Sequence, residues 1–78
     1  MTMVYIRDAY RVPAKRGGRV EYTGHRAGPR LGTIIGTYSA KLKIRLDGER
    51  HGGSYHPTWK LRYLDATGAV IPGGDHGA

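Results

Sequence analysis

Apolar and polar residues alternate strictly over the seven residues Lys41–Asp47, and this pattern predicts a β-strand with one buried face. Leu42, Ile44 and Leu46 lie on the face predicted to be buried, so the basic residues between them point to solvent. The segment ends at an Asp-Gly dipeptide, which is typical of a tight turn. Because no longer window shows helical periodicity, the pattern favours a β fold over a helical bundle.

Further strands are predicted from alternation or from β-branched residues. The predicted strands are Met3–Ile6, Arg19–Thr23, Leu31–Tyr38, Lys41–Asp47, Leu61–Leu64 and Ala69–Ile71. Gly36 directly follows two isoleucines and is predicted to mark a bulge or sharp bend of the kind a small barrel needs to close. Tyr10–Val12 is predicted to be extended because Pro13 restricts the preceding residue.

These segments predict an all-β fold, specifically a small SH3-like barrel of five to six short antiparallel strands. An OB-like barrel is the other candidate, but the chain is short for it and shows no helix between the central strands. The 78 residues allow one domain, which we place at residues 1–71. Residues 72–78 are predicted to form a flexible, glycine-rich C-terminal tail.

The core must be built without phenylalanine, because the chain has none. Tyr22 and Trp59 are predicted to lie in the core, and Tyr63 is left open between core and surface. Tyr38 and Tyr55 are predicted to be exposed.

Several classes of site are disfavoured by what the sequence lacks. Without cysteine there is no disulfide, zinc-thiolate site, iron–sulfur cluster or thiol nucleophile. The four histidines, His25, His51, His56 and His76, show no zinc spacing, so we expect no metal and no cofactor. No nucleophile elbow, phosphate-binding loop or paired apolar carboxylates occur, so we expect no enzymatic activity. The start is too short for a signal peptide and no apolar run can span a membrane, which favours a cytoplasmic location.

Positive charge is the strongest functional signal. The net charge is +7, and all thirteen lysines and arginines lie between Arg7 and Arg62 with only four acids, which makes that stretch more basic than the chain as a whole. Such a field favours an anionic partner, for example nucleic acid, an acidic protein surface or anionic lipid. Solubility alone is the simpler interpretation of the same charge.

Phosphate binding needs several cations on one surface and close backbone approach, which glycine loops permit. Exposed aromatic rings add stacking surfaces for bases. The candidate nucleic-acid-binding residues are Lys15, Arg16, Arg19, Arg26, Arg30, Lys41, Lys43, Arg45, Tyr38 and Tyr55.

Residues 19–46 resemble the KOW motif of ribosomal and transcription-elongation proteins. An alternating strand at Val20 is followed by a glycine-rich basic loop and, after Gly32, by a second strand at Ile34. Ala27 departs from the motif, which tends to have lysine there, and the loop spacing differs by about a residue. The resemblance implies an SH3-like barrel whose basic loop meets RNA or protein. More broadly, the chain looks like small uncharacterised proteins of actinobacterial phages, which would imply work in the cytoplasm of an infected host.

We therefore predict a small basic module that binds nucleic acid mainly through phosphates, with little sequence specificity. The alternative is a protein–protein interaction module, phage-encoded if the phage resemblance holds, that binds an acidic host or virion protein. A self-assembling structural subunit is a third option. The sequence does not distinguish DNA from RNA and does not indicate the oligomeric state.

Overall fold

A computed structural model describes residues 2–77, which contain one helix and six β-strands. The elements are α1 Met3–Tyr10, β1 Arg19–Tyr22, β2 Arg30–Tyr38, β3 Lys41–Leu46, β4 Gly53–Tyr55, β5 Leu61–Leu64 and β6 Val70–His76. The strands form a single antiparallel sheet in the order β4-β3-β2-β1-β5-β6. This confirms the predicted all-β class with six short antiparallel strands in a compact, barrel-like domain. Met1, in the predicted domain of residues 1–71, and Ala78, in the predicted tail, lie outside the described residues.

The β2–β3 hairpin contains the bulge predicted at Gly36. Its register passes from Ile34 opposite Ile44 to Gly36 opposite Lys43, so Ile35 is the extra residue. An extra residue bends its strand and locally increases the twist. Here it also keeps Ile34 in the core while Gly36 shares the outward side of Lys43.

The core lies on the inner face of the sheet, as the alternation predicts. The buried apolar residues are Ile6, Val12, Ala14, Val20, Ile34, Leu42, Ile44, Leu46, Leu61 and Tyr63. Tyr63 is only 1% exposed, and its hydroxyl donates a 2.6 Å hydrogen bond to the carbonyl of Pro57. Because burial removes the water that would stabilise the charged phenolate, it raises the pKa of the Tyr63 hydroxyl.

Two aromatic assignments from the sequence are wrong, and one is only partly right. Trp59 is the last residue of a turn in which its N–H donates a hydrogen bond to the His56 carbonyl, so it does not extend into the sheet. Trp59 is 54% exposed. Tyr55 is half-buried, because its ring packs edge-on against Tyr22 with centroids 4.8 Å apart. Tyr22 is itself half-buried at the margin of the core.

The predicted N-terminal strand is wrong, because Met3–Tyr10 is a helix. Thr2 caps it, with Oγ1 accepting a hydrogen bond from the N–H of Tyr5, and Ile6 is its one buried residue. Arg11 ends the helix in the left-handed region at φ 54°, so neither it nor Tyr10 has the predicted extended conformation. Within residues 2–77, no helix has the length and apolarity that a bilayer crossing requires.

The predicted domain end at Ile71 falls inside β6, so the following residues belong to the sheet and do not form a separate tail. Residues Arg62 and Leu61 of β5 pair with Asp75 and His76 of β6. The carbonyl of Gly77 also accepts a hydrogen bond from Thr23 Oγ1 at 2.9 Å. Glycine-rich composition alone therefore gave the wrong boundary, because backbone pairing needs no side chains.

Candidate nucleic-acid interface

Three cations form a row along the outer face of β3. Lys41, Lys43 and Arg45 are exposed and alternate with three buried apolar residues, as predicted. Two residues along a strand span about 6.8 Å, so the row extends over roughly 14 Å. The spacing of the row is held by β2, which pairs with β3 from Lys41 to Leu46, and by β4, which pairs with its middle at Leu42–Ile44.

Neighbouring elements add to this row. Tyr38 on β2 is the cross-strand partner of Lys41, and Gly36 is the partner of Lys43. Arg16 reaches the same side from the loop before β1: its Nη1 donates a 2.7 Å hydrogen bond to the carbonyl of Ile35. Its Nη2 lies 3.5 Å from the position that a Cβ on Gly36 would occupy. The Arg16 guanidinium therefore lies over Gly36 at van der Waals distance.

We call the surface formed by Arg16, Lys41, Lys43 and Arg45, with Tyr38 at its end, the basic face. Five of the ten candidate residues thus lie together, although they come from three separate parts of the chain.

Arg19 lies at the border of the basic face, but its charge is compensated. Its two terminal nitrogens bind both carboxylate oxygens of Asp47 at 2.8 and 2.6 Å, and Nη1 also donates to Thr33 Oγ1. This bidentate hydrogen bonding holds the pKa of the Asp47 carboxyl below its usual range and raises the pKa of the Arg19 guanidinium. Arg19 therefore orders the border of the face more than it offers charge to a ligand.

A second charge cluster lies further along the outer side of the sheet. Arg62 forms ion pairs with Glu21 at 3.0 Å and with Asp75 at 2.9 Å. Hydrogen bonds to these two carboxylates raise the pKa of the Arg62 guanidinium. This part of the sheet carries more acid than base and is a poor surface for an anion.

Most of the lysines and arginines in residues 2–77 form no ion pair. Of the thirteen lysines and arginines, two form ion pairs, and the other eleven form none within residues 2–77. In that part of the chain, the side chains of Lys41, Lys43 and Arg45 also make no hydrogen bond to a protein group. Their N–H donors face solvent.

Three further candidates lie away from the basic face. Arg26 is in the turn between β1 and β2, at the opposite end of β2 from Lys41; nine strand residues separate such ends by about 25 Å. Arg30 begins β2 at that same end and donates to the carbonyl of Asp47 at 3.0 Å. Tyr55 packs on the inner side with Tyr22.

Lys15 is exposed and lies close to the border of the basic face. Together with Arg19 it lines a shallow depression whose far wall is formed by Leu64, Asp65 and Ile71. The carboxylate of Asp65 makes this depression less favourable for binding an anion.

The ion pairs are features that sequence reasoning missed. Arg19 and Asp47 are 28 residues apart in the sequence, and Arg62 and Glu21 are 41 apart. No local sequence pattern therefore predicts these ion pairs. The sequence places Asp47 at the end of the alternating strand and in an Asp-Gly turn, and neither feature indicates an ion pair with Arg19.

The histidines within residues 2–77 do not gather into a metal site, and no group of three or more metal-ligating side chains occurs there. His25 and His56 use Nδ1 locally, accepting hydrogen bonds from the N–H groups of Ala27 and Thr58 at 3.1 Å. His76, which falls in the predicted C-terminal tail, lies in β6 with its ring edge-on to Tyr63.

No protein-family model, curated protein or solved structure matches this chain. The resemblances to KOW proteins and to phage proteins therefore stay predictions. The β1–β2 hairpin does contain the strand, glycine-rich loop and second strand on which the KOW resemblance depends.

Proposed function

We propose that this protein is a small module that binds nucleic acid through its phosphates. The observation that carries the proposal is the row of Lys41, Lys43 and Arg45, three exposed cations on one strand face that form no ion pair within residues 2–77. Arg16 extends the row toward the loop before β1.

Electrostatic repulsion among the three cations of β3 favours binding of an anionic ligand at this face. Like charges whose strand positions are about 6.8 Å apart repel one another in the free protein. The phosphates of an anionic polymer compensate these charges, and the polymer releases the counterions condensed on it. Lysine and arginine contacts to phosphates carry little sequence information, because every nucleotide offers the same phosphate. The proposed binding is therefore broad in sequence and sensitive to salt.

The salt dependence of binding tests the proposal. A variant with Lys41→Ser, Lys43→Ser and Arg45→Ser should bind a labelled oligonucleotide more weakly than the wild type, measured by fluorescence anisotropy. Each phosphate contact contributes about −0.9 to the slope of log K against log salt, so the slope should flatten by about 2–3. The fold should persist because the three side chains point to solvent.

A matched control removes the same charge elsewhere. Arg11, Arg26 and Lys60 form no ion pair within residues 2–77 and lie outside the basic face, so replacing all three with serine should change the slope much less. If both variants retain the wild-type slope, or if the wild type binds no polyanion at low salt, the proposal is wrong. The better explanation would then be an acidic protein partner. A pull-down should capture such a partner, and added polyanions should not displace it.

A further inference from the structure

We propose that the nucleic acid on the basic face is single-stranded and that one of its bases stacks on the ring of Tyr38. This inference rests on the proposed function and names the class of its ligand.

Tyr38 has the most exposed ring of the described sheet. Its side chain is 67% exposed at the last residue of β2, directly opposite Lys41. Within residues 2–77 its ring touches no other aromatic ring and its hydroxyl has no hydrogen-bond partner, whereas Tyr63 is buried and Tyr55 packs against Tyr22. An apolar ring held in solvent by a rigid hairpin is a ready stacking surface.

A shallow hollow lies beside this ring. It is lined by Tyr38, Ser39, Ala40, Lys41 and Ser54, and it encloses about 310 Å³. Most of its lining is apolar, and Lys41 and the two serines are its polar residues.

The order of groups along the face matches one strand of nucleic acid. The aromatic ring comes first, and the three cations of β3 follow in a line that starts directly opposite it. A base seated on Tyr38 would leave its own backbone free to run along Lys41, Lys43 and Arg45.

A duplex cannot use this arrangement fully. Its bases are stacked on one another and present only their edges, whereas an unpaired base offers its whole π-face to an aromatic side chain. A duplex can still meet the cations through its phosphates, so it should bind by charge alone.

Trp59 is the other exposed large aromatic side chain of the sheet region, but it lies apart from the basic face. Its ring is 6.1 Å from that of Tyr22, and it packs near Gly24 in the loop after β1. That loop is at the opposite end of β2 from Tyr38, so we assign the stacking to Tyr38.

The test compares Tyr38→Ala, Tyr38→Trp and a matched control, Tyr5→Ala, which removes a tyrosine that is 45% exposed on α1. Binding of each protein to fluorescein-labelled dT12, U12 and a 12-base-pair DNA duplex is measured by anisotropy at fixed low salt. Stacking of a base on an aromatic side chain is worth enough that its loss should weaken single-strand binding about 5- to 150-fold. Duplex affinity and the salt slope should stay unchanged, Tyr38→Trp should restore affinity, and Tyr5→Ala should bind as the wild type does.

The results separate this inference from the proposed function. Wild-type protein that binds none of the three probes overturns both. Wild-type binding with a normal salt slope, but no single-strand loss in Tyr38→Ala, overturns the stacking alone. An equal loss on duplex, or no recovery in Tyr38→Trp, would also overturn it, because Tyr38 would then act on the fold and not on a base. The dT12 and U12 probes show whether the strand is DNA, RNA or either.

Discussion

Ile44 is fully buried at the centre of β3, opposite Ile34 on β2 and Gly53 on β4. Replacing it with alanine removes three carbon atoms, and the transfer free energy of about 0.8 kcal/mol for each gives about 2.4 kcal/mol. The cavity left behind adds to this value, because the neighbouring Gly32 and Gly53 have no side chains that could move into it. Gly32 lies close to the lost atoms: a Cβ built on it would be 3.0 Å from Ile44 Cγ2. We therefore expect Ile44→Ala to cost about 2.5–5 kcal/mol.

This cost is large for so small a domain. At about 0.05–0.15 kcal/mol per residue, 78 residues have a free energy of unfolding of roughly 4–12 kcal/mol. With an m-value of about 1 kcal/mol per molar in urea, the midpoint should fall by about 2 M or more. Urea titration followed by far-UV circular dichroism measures the change.

Two further variants keep the test decisive. Ile44→Val should cost about 0.5–1.5 kcal/mol and stays measurable even if the alanine variant does not fold. Lys43→Ala, the exposed neighbour, should change stability by less than about 0.5 kcal/mol. A loss below about 1 kcal/mol in Ile44→Ala, or an equal loss in Lys43→Ala, would refute the assignment of the two faces of β3.

Three other measurements follow from particular contacts. The pKa values of Asp47 and Asp65 are lowered by hydrogen bonds, from an arginine side chain and from a threonine hydroxyl respectively, so both carboxylates stabilise the fold above their unfolded pKa near pH 4. That contribution is lost as the pH falls through their lower folded values, so Tm should drop between pH 5 and pH 2, and a flat profile would contradict this. Tyr63→Phe should cost about 1–3 kcal/mol in thermal or urea unfolding because it leaves the buried carbonyl of Pro57 without its donor; no measurable loss would show that water or another group replaces it. Deleting residues 72–78 should lower Tm and broaden the transition, since it removes most of β6 from β5, whereas an unchanged melt would mean that the pairing contributes little.

Local pattern was sufficient wherever one strand face is buried and the other solvated. The alternation in Lys41–Asp47 correctly predicted β3 and its two faces, and the adjacent isoleucines before Gly36 correctly marked the bulge in β2. Period two is a property of the strand itself, so such segments can be interpreted without knowing their neighbours.

The same reasoning failed where a segment is short or its burial depends on distant contacts. Met3–Ile6 has too few residues to distinguish periods of 2 and 3.6, and the cap at Thr2 decides for a helix. β6 is glycine-rich and has little apolar pattern, because it is held by pairing with β5. Trp59 is large and apolar, but its turn directs it to solvent.

The composition by itself determined that a basic domain would form, and the β3 pattern determined that one strand face would carry three cations. Only the tertiary structure decided which charges remain available: Arg19 is compensated by Asp47, 28 residues away, while Arg16 and Tyr38 are brought beside the row on β3. The physical reason is that charge and period are local properties, whereas ion pairing and cross-strand proximity depend on register, and register is set by the packing of the whole sheet.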